Sequence, residues 1–275
     1  GLARVYLVKH RKLGSEHALK LLHVNGERAK ARFLQEGQVQ ARIRHANIVP
    51  VTDVVEVDQA IGLVMDFVDG PSLAEILTGE DALSRRDIPG LFDQICQGVS
   101  AAHAAGVLHR DLKPANILIA VSNFGVQARI TDFGIAKAAA DFRDQGKSLT
   151  EAGTFMGTLG YMAPEQLSDA KAVDVRADVF SLGCVVYEML AGKSPYARRD
   201  RGDTIRATLS GEHKPIADAV PGLPKALAAA IERAIHPVAS QRFDTVDALR
   251  LAVGQAFRGY QTEPVEADLP PVPPA

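Results

Sequence analysis

The stretch His109-Arg110-Asp111-Leu112-Lys113-Pro114-Ala115-Asn116 is followed, one short hairpin later, by Asp132-Phe133-Gly134. Within a small compass these residues offer a carboxylate able to act as a base, a lysine and two oxygen ligands suited to a hard cation. Magnesium keeps several waters and is held through one or two carboxylates plus substrate phosphates, so the set points to phosphate chemistry. On a loop, Asp111 can accept a proton from an attacking hydroxyl, Lys113 can reach a moving phosphate, and Asn116 and Asp132 can hold metal between phosphate oxygens. Taken singly, Asp-Phe-Gly reads as a turn and His-Arg-Asp as a surface loop. Their succession along one chain is what carries the reading.

The chain has 275 residues, 47% of them hydrophobic and 23% charged. That is longer than one usual core of about 100–200 residues, so one large domain or two lobes is expected. A net charge of −2, with acids and bases interspersed, lacks the basic footprint that neutralises a nucleic-acid backbone, and nucleic acid is not expected as a partner. Cys96 and Cys184 lie in apolar, helix-like patterns and read as small core residues in a reducing compartment. No apolar run approaches the ~18 residues of a membrane helix, and the start has no signal-peptide pattern. The expectation is a cytosolic chain without membrane contact of its own, or the cytosolic part of a longer, membrane-anchored protein. Beginning without Met, partway into a motif, also suggests a piece of something longer.

Outward from the central stretch, alternation predicts strands over 4–8 and 17–22, with a turn at 11–15. A helix is predicted from about Glu27 to Ile43, and a buried strand over 61–68 before the breaker Asp69-Gly70-Pro71. Leu91, Ile95, Val99 and Ala102 recur at the spacing of one helix face, and Gly106 ends that helix. The segment from Asp132 to Glu165, rich in Gly, Ser, Thr and Ala, has no sustained periodicity, and unstructured loops that long are usually functional or disordered. From Thr262 onward, acids and prolines predict an extended or disordered linker.

These motifs resemble those of the protein kinases, and most closely the bacterial serine/threonine kinases of eukaryotic (Hanks) type. The resemblance runs from Gly1-Leu2-Ala3-Arg4-Val5-Tyr6 to the helix around Arg242. It implies an α+β, two-lobed protein-kinase fold: a small antiparallel β-sheet lobe with one main helix, and a larger, mostly helical lobe. The implied division is 1–68 for the small lobe, 69–261 for the large lobe and 262–275 for a Pro-rich tail. Only the end of the glycine loop is present: Gly1 falls just after the family's second glycine, and Ala3 stands where the third would be.

By the same resemblance, ATP and Mg2+ (or Mn2+) are the cofactors. Lys20, paired with Glu36, would hold the α- and β-phosphates, while Asn116 and Asp132 would bind the metal. Gly1, Val5, Ala18, Met65, Leu118 and the backbone of Asp66 and Val68 would surround the nucleotide. Asp111 would be the base, Lys113 would steady the transferring group, and Thr158 would bond both and line the acceptor pocket. His109 has a structural role in the family. Gln40, one turn beyond Glu36, departs from relatives that more often place an apolar residue there, which predicts an easily displaced helix. The hairpin around Ser122-Asn123-Phe124-Gly125 reads as a surface insertion.

Residues 132–165 resemble an activation segment, closed by Gly157-Thr158 and Ala163-Pro164-Glu165. Thr154 lies where relatives phosphorylate themselves, with Thr150 and Ser148 as second sites. Arg32, Arg110 and Lys137 occupy the family's phosphate-receiving positions, and a phosphothreonine carries roughly −1.5 to −2 charges that such a cluster would bind. Asp178 would brace the catalytic loop, with a helix N-cap as the plainer alternative, and Arg242 would pair with Glu165. The implied function is transfer of the ATP γ-phosphate to Ser/Thr hydroxyls of protein substrates, activated by autophosphorylation, with a homodimer as its vehicle. Ser72 and Ala115, where basophilic relatives carry carboxylates, imply no strong preference for arginine. The alternative is a pseudokinase scaffold, although Lys20, Asp111, Asn116 and Asp132 all stand. A small-molecule phosphotransferase fits less well, because such enzymes generally lack the peptide-docking segment.

Overall fold

The computed structural model describes residues 3–22, 31, 34, 37–38, 40–57, 60–79, 83–122, 125–133, 159–168 and 173–261. β1 (Ala3–Lys9) and β2 (Glu16–Leu22) form an antiparallel hairpin, as their alternation predicts. Its turn is held by His10, whose Nδ1 accepts from the backbone of Lys12 and Leu13, and by Gly14 at φ 74°. β3 (Val51–Val57) and β4 (Ala60–Asp66) complete a four-stranded antiparallel sheet in the order β1-β2-β4-β3. β3 escapes the sequence reading because a register shift between Val51 and Asp53 breaks its alternation. β4 stops at Asp66 rather than at Val68, since both neighbouring ladders run out there: β2 contributes its last pair through His17, and β3 begins at Val51 opposite Met65.

Register decides what faces the interlobe cleft. Val5 is opposite Lys20, Leu7 opposite Ala18, Ala18 opposite Met65 and Lys20 opposite Leu63, so these six side chains share one face of the sheet. Residues 31, 34, 37–38 and 40–42 are helical; the helix ends at 42, one residue short of the expected Ile43. Gly37 lets that helix approach the sheet, for a Cβ there would lie 2.5 Å from Leu63 Cδ2.

The large lobe opens with α1 (Leu73–Thr78), whose N-terminus is a capping box: Ser72 Oγ accepts from Glu75 N while Glu75 accepts from Ser72 N. α2 (Ile88–Ala104) buries Leu91, Ile95, Val99 and Ala102 as the spacing predicts, and Gly106 at φ 77° turns the chain away. Pro114–Asn116 make a 3-10 turn into the hairpin of β5 (Ile117–Ser122) and β6 (Gly125–Ile130). α3 (Pro164–Ser168), α4 (Val175–Ala191), α5 (Arg201–Ser210), α6 (Ile216–Ala219), α7 (Lys225–Ala234) and α8 (Val246–Gln261) follow.

α4 is the buried axis of the lobe. It begins at Val175, not at Asp178, and its N-cap is Asp174, whose carboxylate accepts from Arg176 N. Capping is thus done four residues earlier, and Asp178 faces the interior at 1% exposure. Two apolar clusters result. The larger centres on α2, α4, α7 and α8 and takes in Ile43 and Ile48; the smaller contains Val49, Val51, Ile61, Leu63, Met65 and Val68. Cys96 and Cys184 are free and fully buried in the larger cluster, where burial pushes both thiols up. Among the described residues, no helix is long and apolar enough to cross a membrane.

Candidate active site

Asp178 organises the central loop. Its Oδ2 accepts from His109 N and its Oδ1 from Arg110 N, both at 2.8 Å, and His103 Nε2 lies 2.7 Å from Oδ2. Burial raises the carboxyl's pKa, but the bond to His103 and the neighbouring His109 outweigh it, and the group stays below its ordinary value. These bonds hold Arg110 in the left-handed region, φ 63°, which costs a non-glycine residue about 1–3 kcal/mol.

His109 is fully buried, and burial lowers its pKa. Its Nε2 meets Thr131 O at 3.0 Å, and its Nδ1 accepts from Asp111 N at 3.3 Å, the pattern of a neutral ring protonated on Nε2. The ring packs on Phe133, centroids 4.6 Å apart. One side chain therefore ties the Asp111 loop to the strand end that presents Asp132.

Asp111 Oδ2 accepts from Lys113 Nζ at 2.9 Å and from Asn116 Nδ2 at 3.1 Å. Its other oxygen, Oδ1, is buried without a hydrogen-bond partner among the described residues. Asn116 also donates to Asp111 O at 2.8 Å, so the amide nitrogen is spent on the loop and Oδ1 is turned the other way. Thr131 N donates to Asn116 O at 3.0 Å, placing Asp132 beside Asn116. Asp132 is left-handed at φ 67°, and its Oδ1 meets Lys20 Nζ at 2.7 Å. That contact crosses from the small lobe to the large one. Lys20 was expected on Glu36; its described partner is Asp132, and Glu36 lies outside the described residues.

An oxygen-only donor set of one carboxylate and one amide, with Asp132 Oδ2 and Asn116 Oδ1 in no described hydrogen bond, suits a small hard cation completed by waters and phosphate oxygens.

The apolar side of the cleft is built from the smaller cluster. Ala18 and Leu118 pack against the cluster that holds Met65 and Val68, and Thr131 Oγ1 lies 4.0 Å from Met65 Sδ. Val5, on the same sheet face, is 62% exposed, and Asp66 N donates to Pro50 O.

Past the cleft, the end of the 132–165 segment is bolted to the large lobe. Ala163 N donates to Gln166 Oε1, and Gln166 Nε2 donates to Arg110 O at 2.7 Å. Glu165 is held by Arg242. Ser194 and Ser181 bond the carbonyls of Gly160 and Tyr161, and the Tyr161 phenol bonds Glu188, with burial raising both pKa values.

Arg110 Nε is buried without a partner among the described residues. Gly1, Arg32, Lys137, Ser148, Thr150, Thr154 and Thr158 lie outside the described residues. Sequence reading passed over His103 and Gln166. The position of His103, four residues after the buried Val99, was the available signal; Gln166 offered none, because its partner Arg110 is 56 residues away.

Comparison with known proteins gives a consistent result. The protein kinase domain family matches residues 1–250. Serine/threonine-protein kinase PknH of Mycobacterium bovis is 34% identical over 260 residues, covering 94% of this chain and 42% of that protein. Serine/threonine-protein kinase PknB of Mycobacterium tuberculosis is 32% identical over 274 residues, covering 97% of this chain and 42% of that protein. The chain thus spans well under half the length of these relatives. A crystal structure of Rad53 1-466 in complex with AMP-PNP aligns with TM-score 0.73 and 25% identity over 92% of this chain and 62% of that one. The expected two-lobed α+β fold and the resemblance to bacterial serine/threonine kinases are both borne out, and the chain belongs to the protein kinase domain family.

Proposed function

We propose that this domain moves the γ-phosphate of ATP to serine or threonine hydroxyls of protein substrates. The observation that carries the reading is Asp111: one oxygen is fixed by Lys113 and Asn116, and the other is buried with no hydrogen-bond partner among the described residues. Leaving a buried carboxylate oxygen unbonded is costly, and an incoming hydroxyl would satisfy it. Asp111 then orients the acceptor and takes its proton, while Lys113 steadies the transferring group.

Lys20 positions the α- and β-phosphates from the small lobe. Asn116 and Asp132 hold Mg2+ or Mn2+, which neutralises charge on the phosphates when bound. Ala18, Met65, Val68 and Leu118 supply an apolar slot for the base, edged by Val5. With little covalent chemistry for the protein to do, positioning and charge stabilisation supply most of the rate. Thr158 lines the acceptor pocket, and autophosphorylation at Thr154 or Thr150, received by Arg110, Arg32 and Lys137, orders the segment within a transient homodimer. Ser72 is occupied as a helix cap and Ala115 carries no charge, which supports the absence of a strong preference for arginine ahead of the acceptor.

Transfer of labelled γ-phosphate to a mixed Ser/Thr peptide library tests this. Asp111→Asn should abolish transfer, a loss of at least about 10²–10⁴-fold, without lowering the melting temperature. An Asp111→Asn protein that keeps full activity would sink the assignment.

A further inference from the structure

Gln40 stands in helical backbone at 2% exposure, a buried amide in the small lobe. Its Nε2 donates to Val49 O at 3.3 Å, and the opposite amide orientation would set oxygen against oxygen. Val49 N in turn donates to Ile130 O, and Ile130 N donates to Asn47 O, both at 2.9 Å, so residues 47–49 run beside β6 with a parallel bridge from Ile48 to Ile130. Ile130 is two residues from Asp132, which holds Lys20. Asn47 Nδ2 anchors the same segment to Ala128 O and to Gln94 on α2.

Among the described residues, the helix's other contacts to the sheet are apolar: Gly37 against Leu63, and Leu34 against the smaller cluster. Apolar contact is non-directional and permits sliding along the helix axis, whereas a hydrogen bond weakens steeply off its geometry.

We propose that Gln40 is a positioning residue, whose bond to Val49 O sets the height of its helix against the strand that leads to Asp132. The inference rests on the kinase reading for its consequence, but not for the latch itself. Sliding the helix would strand a buried amide and a buried carbonyl, so the helix has a defined seat where an apolar residue would leave a continuum. The easily displaced helix expected from sequence becomes a helix with one registered position.

Two measurements test this. In hydrogen exchange of the whole protein, Gln40→Met, which keeps length and loses the donor, should speed exchange across residues 31–42 by about tenfold while α2 and α4 stay unchanged. Unchanged exchange there overturns the proposal whether or not the protein transfers phosphate. In phosphate transfer, Gln40→Met and Gln40→Ala should both lower kcat/KM for ATP by about tenfold, with KM for the acceptor peptide unmoved. Full activity in Gln40→Met with loss only in Gln40→Ala would mark a side chain that merely fills space and overturn it, as would an equal rise in acceptor KM. If the unaltered protein transfers no phosphate, the kinase reading fails and the exchange result alone decides.

Discussion

The guanidinium of Arg242 grips the carboxylate of Glu165 through two nitrogens, Nη1 at 2.7 Å from Oε1 and Nη2 at 2.9 Å from Oε2. The arginine side chain is wholly buried, lies over the Phe180 ring at 4.9 Å, and spends its other N–H groups on the carbonyls of Arg176, His236 and Pro237. Removing one partner leaves a buried charge unpaired, at a cost of about 3–5 kcal/mol. Arg242→Ala should therefore lose that much stability in urea, and Arg242→Lys should recover little, since an ammonium cannot reproduce the fork. A change below about 1 kcal/mol, the worth of an exposed pair, would show that the pair is not structural.

Lys20 and Asp132 meet across the cleft, 2.7 Å apart. Lys20→Met keeps the stem packed against the sheet face and removes only the charge. Turnover should fall about 10²–10³-fold, the usual loss when one preorganised electrostatic contact is deleted, while cooperative unfolding is retained. Steady-state kinetics beside thermal melting separates the two effects. Turnover within a few-fold of the unaltered protein would remove Lys20 from the site.

The acid limb of stability should depend on Asp178. Its carboxyl lies below its ordinary value of 3.8 because bonds from His103 and His109 outweigh burial. A depressed carboxyl contributes stability that is present above 3.8 and lost as pH falls through the lower, folded value. Asp178→Asn should flatten the melting curve against pH below about 4 and impair turnover at neutral pH, since the amide puts a donor against a backbone N–H. An unchanged acid limb would assign it elsewhere.

On the alkaline side the group to watch is His213, with Nδ1 facing Gly211 O at 2.9 Å and Nε2 facing Glu232 Oε2 at 2.7 Å. Two acceptors call for an imidazolium: burial lowers its pKa, but the Glu232 carboxylate and the Gly211 carbonyl raise it above 6.5 overall. The stabilisation is fully present below 6.5 and lost as pH rises through the raised, folded value. The melting temperature should decline over that window, and His213→Gln should remove the slope. A slope that survives in His213→Gln would refute the imidazolium.

Much of this was legible along the chain. The hairpin at 3–22 announced itself through alternation, and α2 through Leu91, Ile95, Val99 and Ala102, because each periodicity reflects a local backbone repeat. β3 was hidden by its bulge. Asp178 left two readings open, brace of the central loop or helix N-cap, and only packing decides between them: Asp178 faces His109, and the cap is Asp174.

The kinase family and the identity of the cleft residues are set by the order of motifs, since each motif is a short stretch whose chemistry is complete in its own residue types. Which atoms meet is another matter. That Lys20 reaches Asp132, that Asp178 holds two backbone N–H groups 68 and 69 residues away, and that Gln40 is seated on Val49 were decided only when the chain closed. Hydrogen bonds need distances within a few tenths of an ångström, and a residue's type constrains which bonds it can make without choosing its partner.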